Sequence, residues 1–238
     1  MSRTELLYAI AAAGANVLGA VAVVTRTRWS LRALDEMLAL AAGFLLSVAL
    51  LDLFPVAIRG GGGRAAVVIL VAYLLVHYTQ HPLGRHFHFG EETHAVTSTI
   101  SISALIGLLL HTFADGVAVA SGVRVSEALG VLVFLAVLLH KFPEGLAISS
   151  LFLAAGSSRR RALLAALALG LATFLGVLLT GRLALLRDYG LAIAAGVTLY
   201  VGASNLVPEL QAKRGWSVPV SFLVGCGLYF AASALAGM

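Results

Sequence analysis

The chain has little charge. Only 11% of its 238 residues are Asp, Glu, Lys or Arg, and 60% are apolar, whereas soluble domains carry about 25% charged residues. So few polar side chains cannot cover a water-facing surface, which excludes a soluble enzyme and a disordered tail. The single cysteine, Cys226, can form no internal disulfide, which excludes a secreted disulfide scaffold. The composition predicts an integral membrane protein.

Long apolar runs take the place of the missing charge. Runs of about 17–25 apolar residues can cross a bilayer as helices, and the sequence contains eight of them. Only the connection at about 78–97 is long, and no linker divides the chain, so residues 1–238 are expected to form one all-α transmembrane domain. The predicted spans are about 5–24, 36–57, 65–82, 98–121, 127–154, 162–181, 189–208 and 217–236.

Basic residues predict the orientation. A pI of about 9.8 would suggest nucleic acid as the partner of a soluble protein, but here Lys and Arg lie in short segments between apolar runs. Nine of them share a side with the long connection and six share a side with the termini, which favours both termini outside a cell membrane. Arg3 and the sequence at 20–22 resemble a signal peptide. We expect this segment to stay in the protein as the first span, because the internal repeats described below need a first span that matches the sixth.

Two internal repeats are present. Residues 38–57 align with 191–210 without a gap, with nine identities in twenty positions. A shorter repeat aligns 111–121 with 140–150. An odd number of crossings separates the copies in each pair, so the copies run in opposite directions. Chance similarity among Ala- and Leu-rich helices is the alternative. Inverted repeats, with two central spans between two three-helix units, are typical of secondary transporters.

The shorter repeat carries two His-carboxylate pairs. His111 and Asp115, and likewise His140 and Glu144, are four residues apart and therefore lie on one helix face. If the two helices face each other, two imidazoles and two carboxylates converge, a set that suits zinc and also iron, manganese or cadmium. Hydrogen bonding within each helix is the alternative. An ionisable group at the bilayer centre costs about 2.5–3.5 kcal/mol, so four of them favour a functional site.

Proline and glycine accompany these pairs. Pro143 removes a helical hydrogen bond and frees the carbonyl of Leu139, next to His140. Gly116 and Gly145 follow the two carboxylates and allow close helix approach. The pattern therefore predicts a local bend at Pro143 and a close approach of neighbouring helices at the two glycines.

These motifs resemble those of the ZIP (Zrt/Irt-like) metal transporters. The matching motifs are H-x-F-x-D-G in span four and H-x-x-P-E-G in span five, and they occur in an eight-span chain with a long third connection. The resemblance implies an all-α 3+2+3 bundle that takes up a divalent transition metal into the cytosol and is no enzyme. Zn²⁺, or Fe²⁺, Mn²⁺ or Cd²⁺, is then the transported substrate, and homodimer formation stays open. The implied metal ligands are His111, Asp115, His140 and Glu144.

The chain departs from the family pattern at a second metal site. Members with a two-metal centre carry Asn, an acidic residue and Glu where this chain has Thr112, Lys141 and Thr173. The Lys141 ammonium would then take the place and the charge of a second ion, which predicts a single-metal site. In the alternative interpretation, Lys141 extends to the membrane surface and has no role in the site.

Further candidates lie along the path and in the long connection. Asp52, Asn205 and Glu209, near the ends of spans two and seven, are predicted either to line the path or to cap helices at the interface. Five of the seven histidines fall between positions 77 and 94, in or next to the long connection, where weak metal binding competes with a simple interfacial role. The candidates in this loop are His86, His88 and His94.

Two other functions remain open from the residues alone. An intramembrane metal-dependent hydrolase would need a general base beside a three-ligand metal, but the sequence has no H-E-x-x-H and the symmetric ligand set leaves no spare base. A proton-coupled transporter of a non-metal solute could use the His-carboxylate pairs as proton relays. Uptake of labelled zinc distinguishes these from a metal transporter.

Overall fold

The computed structural model describes residues 2–25, 30–83, 98–211, 213 and 215–237. Within these residues the chain is helical and forms no strand, in agreement with the predicted all-α class. The loop candidates His86, His88 and His94 lie outside the described residues, as does the side chain of Glu209. The helices are α1 Arg3–Thr25, α2 Leu31–Val48, α3 Phe54–Leu83, α4 Ser98–Val125, α5 Glu127–Ala154, α6 Arg159–Thr180, α7 Ala184–Leu199, α8 Val207–Gln211 and α9 Ser217–Leu235.

Across the described ranges, seven helical stretches are long and apolar enough to cross a membrane. Six of them match predicted spans, but spans two and three fall in one stretch, Arg32–Thr79, of 48 residues. A straight helix of that length measures roughly 72 Å, more than twice the bilayer core of about 30 Å. Gly62 interrupts it with φ 55° and ψ −142°, a conformation that glycine adopts without steric cost. This break lies at the predicted separator, and the count of eight crossings stays a prediction.

Two short π-helical segments occupy equivalent places in the longer repeat. One, Ala49–Leu53, follows α2, and the other, Tyr200–Leu206, follows α7. In both copies a proline, Pro55 or Pro208, comes two residues after the segment ends. π-Helical turns are rare and occur often at functional sites. Their recurrence supports the repeat that the sequence alignment predicted.

The packing also repeats between the two copies. An added Cβ at Gly43 of α2 would overlap the carbonyl oxygen of Phe222 in α9, and one at Gly196 of α7 would overlap the carbonyl oxygen of Ile69 in α3. The offset between the two copies of the longer repeat relates Gly43 to Gly196 and, continued along the chain, Ile69 to Phe222. Each copy therefore makes the same glycine-to-backbone contact with a helix of the other.

The long helices form two closely packed groups. One group consists of α1, α4, α5 and α6. In the other, α2 packs against α9 and α3 against α7, and these two pairs meet mainly through the two π-helical segments. Contacts of α4 with α7 and of α2 with α5 join the groups. The predicted 3+2+3 grouping stays a prediction, and the motif helices α4 and α5 lie within the first group.

Candidate metal centre

The two motif helices form an antiparallel hairpin. Only Ser126 separates α4 from α5, and its side chain caps α5 by accepting a hydrogen bond from the Leu129 N–H. Near this turn, Gly130 packs directly against the backbone of Val123. Because both helices continue from there without a break, residues 111–115 lie opposite 140–144.

The hairpin brings the four side chains of the repeated motif together. All four are buried, and one ligand atom from each lies within 4.8 Å of the others. His111 Nε2 is 3.4 Å from Asp115 Oδ2, and His140 Nε2 is 3.2 Å from the same oxygen. The cluster also includes Glu144. These residues therefore interact across the two helices as well as along each of them, and together could hold one metal ion.

The hydrogen bond of His140 to its own helix prepares its other nitrogen for a cation. His140 Nδ1 lies 2.7 Å from the Ala136 carbonyl oxygen, which can only accept, so Nδ1 carries the proton. In the neutral ring, Nε2 then directs a lone pair at the Asp115 carboxylate, an arrangement that a bound cation makes favourable. Histidine ligands of metals commonly donate their second N–H to a backbone carbonyl in this way. The Nδ1 of His111 is buried and has no hydrogen-bond partner among the described residues.

Lys141 lies inside the cluster. Its side chain is 0% exposed, and Nζ is 2.6 Å from Asp115 Oδ2 and 2.6 Å from Glu144 Oε2. The ammonium therefore joins the two carboxylates and does not extend to the membrane surface. A cation already occupies the position between the acidic groups of the two helices.

Thr112 and Thr173 differ in what they contact. The Thr112 hydroxyl donates to Glu144 Oε1 over 2.7 Å, so both oxygens of Glu144 are engaged, one by Thr112 and one by Lys141. Thr112 and Lys141 occupy equivalent positions of the repeat and both bind a carboxylate. Thr173 is buried in α6, where its hydroxyl donates to the Leu169 carbonyl of its own helix over 3.4 Å.

The glycines after the carboxylates bring neighbouring helices close, as the sequence predicts. An added Cβ at Gly116 would overlap the Thr173 carbonyl oxygen of α6, and one at Gly145 would overlap the Asn16 carbonyl oxygen of α1. The partner helices contribute matching glycines, Gly176 and Gly19. The motif hairpin is therefore held between α1 and α6 by direct backbone contact.

The predicted path residues lie elsewhere. Asp52 is buried in the first π-helical segment, where it interacts with Tyr229 of α9, and its Oδ2 lacks a hydrogen-bond partner within the described ranges. Asn205 is half-buried in the second π-helical segment. Neither residue belongs to the four-residue cluster. The backbone of Glu209 lies in α8.

A buried amide in α1 was not predicted from the sequence. Asn16 of α1 is 0% exposed, and neither atom of its side-chain amide has a hydrogen-bond partner among the residues described. It is one of only two asparagines in the chain, and it stands in a run of Ala, Gly and Val. That isolation was the available sequence signal, but no repeat or motif drew attention to it.

A comparison with protein families identifies a matching family. The family model described as ZIP zinc transporter matches residues 77–233, more than half of the chain. The matched segment includes both motif helices and therefore the whole buried cluster. It begins after the first two predicted spans, so the match covers less than the end-to-end resemblance expected from the sequence.

Proposed function

Because the chain belongs to the ZIP zinc transporter family, we propose that it carries a divalent transition metal, zinc above all, into the cytosol. Transport of divalent metal follows from the family, and with the apolar helices it makes this chain an integral multi-pass membrane protein. The proposal adds the direction, the preferred ion, and the ligands His111, Asp115, His140 and Glu144. It also assigns no enzymatic role to the cluster.

The buried cluster is the observation that carries the proposal. Two imidazole nitrogens and two carboxylate groups lie within 4.8 Å of one another, contributed equally by two antiparallel helices. Four nitrogen and oxygen ligands in a compact set match the coordination that zinc prefers, and Fe²⁺, Mn²⁺ and Cd²⁺ accept the same ligand types. All four groups are buried inside the helix bundle, as a transport site requires.

The position of Lys141 supports a single-ion site. With the ammonium 2.6 Å from each carboxylate, one divalent ion brings the net charge of the site to about +1. A second divalent ion would add two more positive charges in a medium of low dielectric constant, where repulsion at a few ångströms is strong. We therefore propose that Lys141 takes the place of a second ion.

The same lysine favours release of the bound ion. An entering ion must share Asp115 Oδ2 and Glu144 Oε2 with the ammonium, so the bound state never gains the full attraction of two free carboxylates. A transporter needs a site that binds its ion without retaining it. Competition from an attached cation provides this without any further ligand.

The path and the membrane topology complete the proposal. Asp52, which has one carboxylate oxygen without a hydrogen-bond partner among the described residues, is proposed to contact the ion on the outer side of the site. Asn205 and Glu209 are proposed to contact it on the cytosolic side. The break at Gly62 supports eight crossings, which would place both termini on the same side of the membrane, and the distribution of basic residues favours the outside of the cell. In the cytosolic loop, we propose weak, regulatory metal binding by His86, His88 and His94.

Uptake of labelled zinc into liposomes that contain the purified chain tests the proposal. Wild type should accumulate zinc, and His111→Ala and Glu144→Ala should each lose most of the uptake. Two matched controls, His77→Ala on α3 and Glu127→Ala in the exposed first turn of α5, should transport like wild type. Equal uptake by all five proteins contradicts the proposed site. Proton flux that is independent of zinc in wild type would favour the solute transporter.

A further inference from the structure

An unpaired amide is buried beside the metal site. The Asn16 side chain is 0% exposed, and both its oxygen and its nitrogen lack hydrogen-bond partners among the described residues. Buried polar groups are nearly always paired, and the rare exceptions call for a ligand, an ordered water or a functional reason. The amide of Asn16 is therefore available to a group that the described residues do not supply.

The backbone contact with α5 places Asn16 next to a proposed ligand. An added Cβ at Gly145 would lie only 3.0 Å from the Asn16 Cα. Gly145 directly follows Glu144, and consecutive Cα atoms are about 3.8 Å apart. The Cα atoms of Asn16 and Glu144 are thus separated by at most about 8 Å, a gap that an Asn and a Glu side chain can bridge together.

The internal symmetry gives Asn16 a counterpart. Gly19 of α1 meets the carbonyl oxygen of Phe142, and Gly176 of α6 meets that of Phe113. The offset in residue number that relates Gly19 to Gly176 also relates Asn16 to Thr173. The carbonyl of Thr173 packs against Gly116 of the α4 motif, just as the carbonyl of Asn16 packs against Gly145 of the α5 motif.

The two counterparts differ in one respect. The Thr173 hydroxyl donates a hydrogen bond within its own helix, whereas the Asn16 amide has no partner in the part of the chain that the structure describes. Of this symmetric pair, the residue on α1 therefore has a side chain without a partner among the described residues, and the residue on α6 does not.

We propose that Asn16 is a further ligand group of the transported ion, with its carboxamide oxygen bound to the ion or to a water molecule on the ion. This inference rests on the proposed function. A carboxamide oxygen adds a ligand without adding charge, which suits a site where Lys141 already balances one carboxylate. Oxygen ligands of this kind favour Mn²⁺ over softer ions, so Asn16 broadens the range of ions that the site accepts.

Ion affinities of the full-length chain in detergent test this role. Asn16→Leu should weaken Mn²⁺ binding about tenfold and Cd²⁺ binding less than threefold in titration calorimetry, because one oxygen ligand is lost. The metal-free protein should melt at the same temperature as wild type or higher, since an unpaired buried amide has been replaced by an apolar group. Thr173→Val, at the symmetric position, should change neither affinity more than twofold.

A second substitution separates a ligand from a structural residue. Asn16→Asp restores an oxygen at the same place and should bind Mn²⁺ at least as tightly as wild type, whereas a purely structural site would tolerate the buried charge less well than leucine. If Asn16→Leu does not fold, Asn16→Ala is measured in its place, with the same expected shift between the two ions.

Each other outcome is decisive. Unchanged affinities in Asn16→Leu, or an equal loss for both ions together with a lower melting temperature, overturn the role of Asn16. A wild-type chain that binds no divalent ion refutes the proposed function instead. The two failures are therefore distinguishable in one series of measurements.

Discussion

The α4 motif, residues 111–116, and the α5 motif, residues 140–145, are packed alike and charged differently. Each ends in a glycine that touches the backbone of a neighbouring helix, α6 for Gly116 and α1 for Gly145. The difference lies one residue after each histidine, where Thr112 contributes a hydroxyl and Lys141 an ammonium. The repeat therefore determines the geometry of the site, while a single substitution determines its charge.

The two carboxylates reflect this difference. Asp115 Oδ2 lies 3.4 Å from His111 Nε2, 3.2 Å from His140 Nε2 and 2.6 Å from Lys141 Nζ. Glu144 divides its contacts, with Thr112 on Oε1 and Lys141 on Oε2. One oxygen of the α4 motif is thus the common point of the cluster, and the α5 carboxylate lies to one side of it.

The largest effect is expected at that common point. Asp115→Asn should weaken Zn²⁺ binding at least about 100-fold, equivalent to about 2.7 kcal/mol, because the oxygen next to both imidazoles loses its charge. Glu144→Gln should weaken it about tenfold. Titration calorimetry measures both, with melting curves to check folding. A larger loss in Glu144→Gln than in Asp115→Asn would show that the two carboxylates have been ranked in the wrong order.

The packing of the two motifs predicts equal losses of stability. Gly116→Ala and Gly145→Ala each force a Cβ against a backbone carbonyl, and overpacking of this kind costs about 1–3 kcal/mol. Both variants should melt at lower temperature than wild type, by similar amounts. Gly14→Ala on α1 is the control, since its Cβ would enter open space and alanine favours the helix. A loss in only one of the two motif variants would contradict the symmetric packing.

The lysine provides the third test. Lys141→Met removes the competing ammonium, so Zn²⁺ should bind about tenfold more tightly and dissociate more slowly, still with one ion per chain. Lys141→Asp should instead bind two ions per chain, because a third carboxylate replaces the ammonium. Elemental analysis of the purified proteins gives the stoichiometry. One ion in Lys141→Asp, with transport like wild type, would rule out the view that Lys141 stands in for an ion.

The smallest effect is expected at Thr112. Thr112→Val keeps the shape but removes the hydrogen bond to Glu144 Oε1, so Zn²⁺ affinity should fall about threefold. Ser121→Ala, later in the same helix, is the control and should bind as wild type does. An effect at Thr112 as large as that at Lys141 would mean that the two motifs contribute equally to the charge balance.

Much of the site could be predicted, because helix periodicity and the internal repeat together determine the positions of a small number of residues. The spacing of His111 and Asp115 fixes a shared face, and the repeated pattern at His140 and Glu144 predicts a facing partner. The position of Lys141 among the ligands was predicted from the family pattern, with an extension to the membrane surface as the alternative. These are local properties, and the single-residue connection at Ser126 leaves little freedom in how the two helices meet.

The remainder depends on contacts between distant segments. Asn16 belongs to no motif, and its proximity to the site follows only from its contact with Gly145 on another helix. The π-helical segments were not predicted, because the extra residue in such a turn leaves no mark on composition. Asp52 was predicted near the mouth of the path from its place in the repeat, but its neighbour Tyr229 on α9 depends on how α2 and α9 pack.

The π-helical segment Ala49–Leu53 has a consequence for labelling experiments. Each residue of an α-helix advances about 100° around the axis, so one extra residue in a turn rotates everything beyond it by that angle. A cysteine-accessibility scan that starts in α2 should follow one phase up to Val48 and resume beyond Leu53 in a shifted phase. A second shift is expected across Tyr200–Leu206. Cross-links designed on an uninterrupted helical wheel would therefore join the wrong faces beyond either segment.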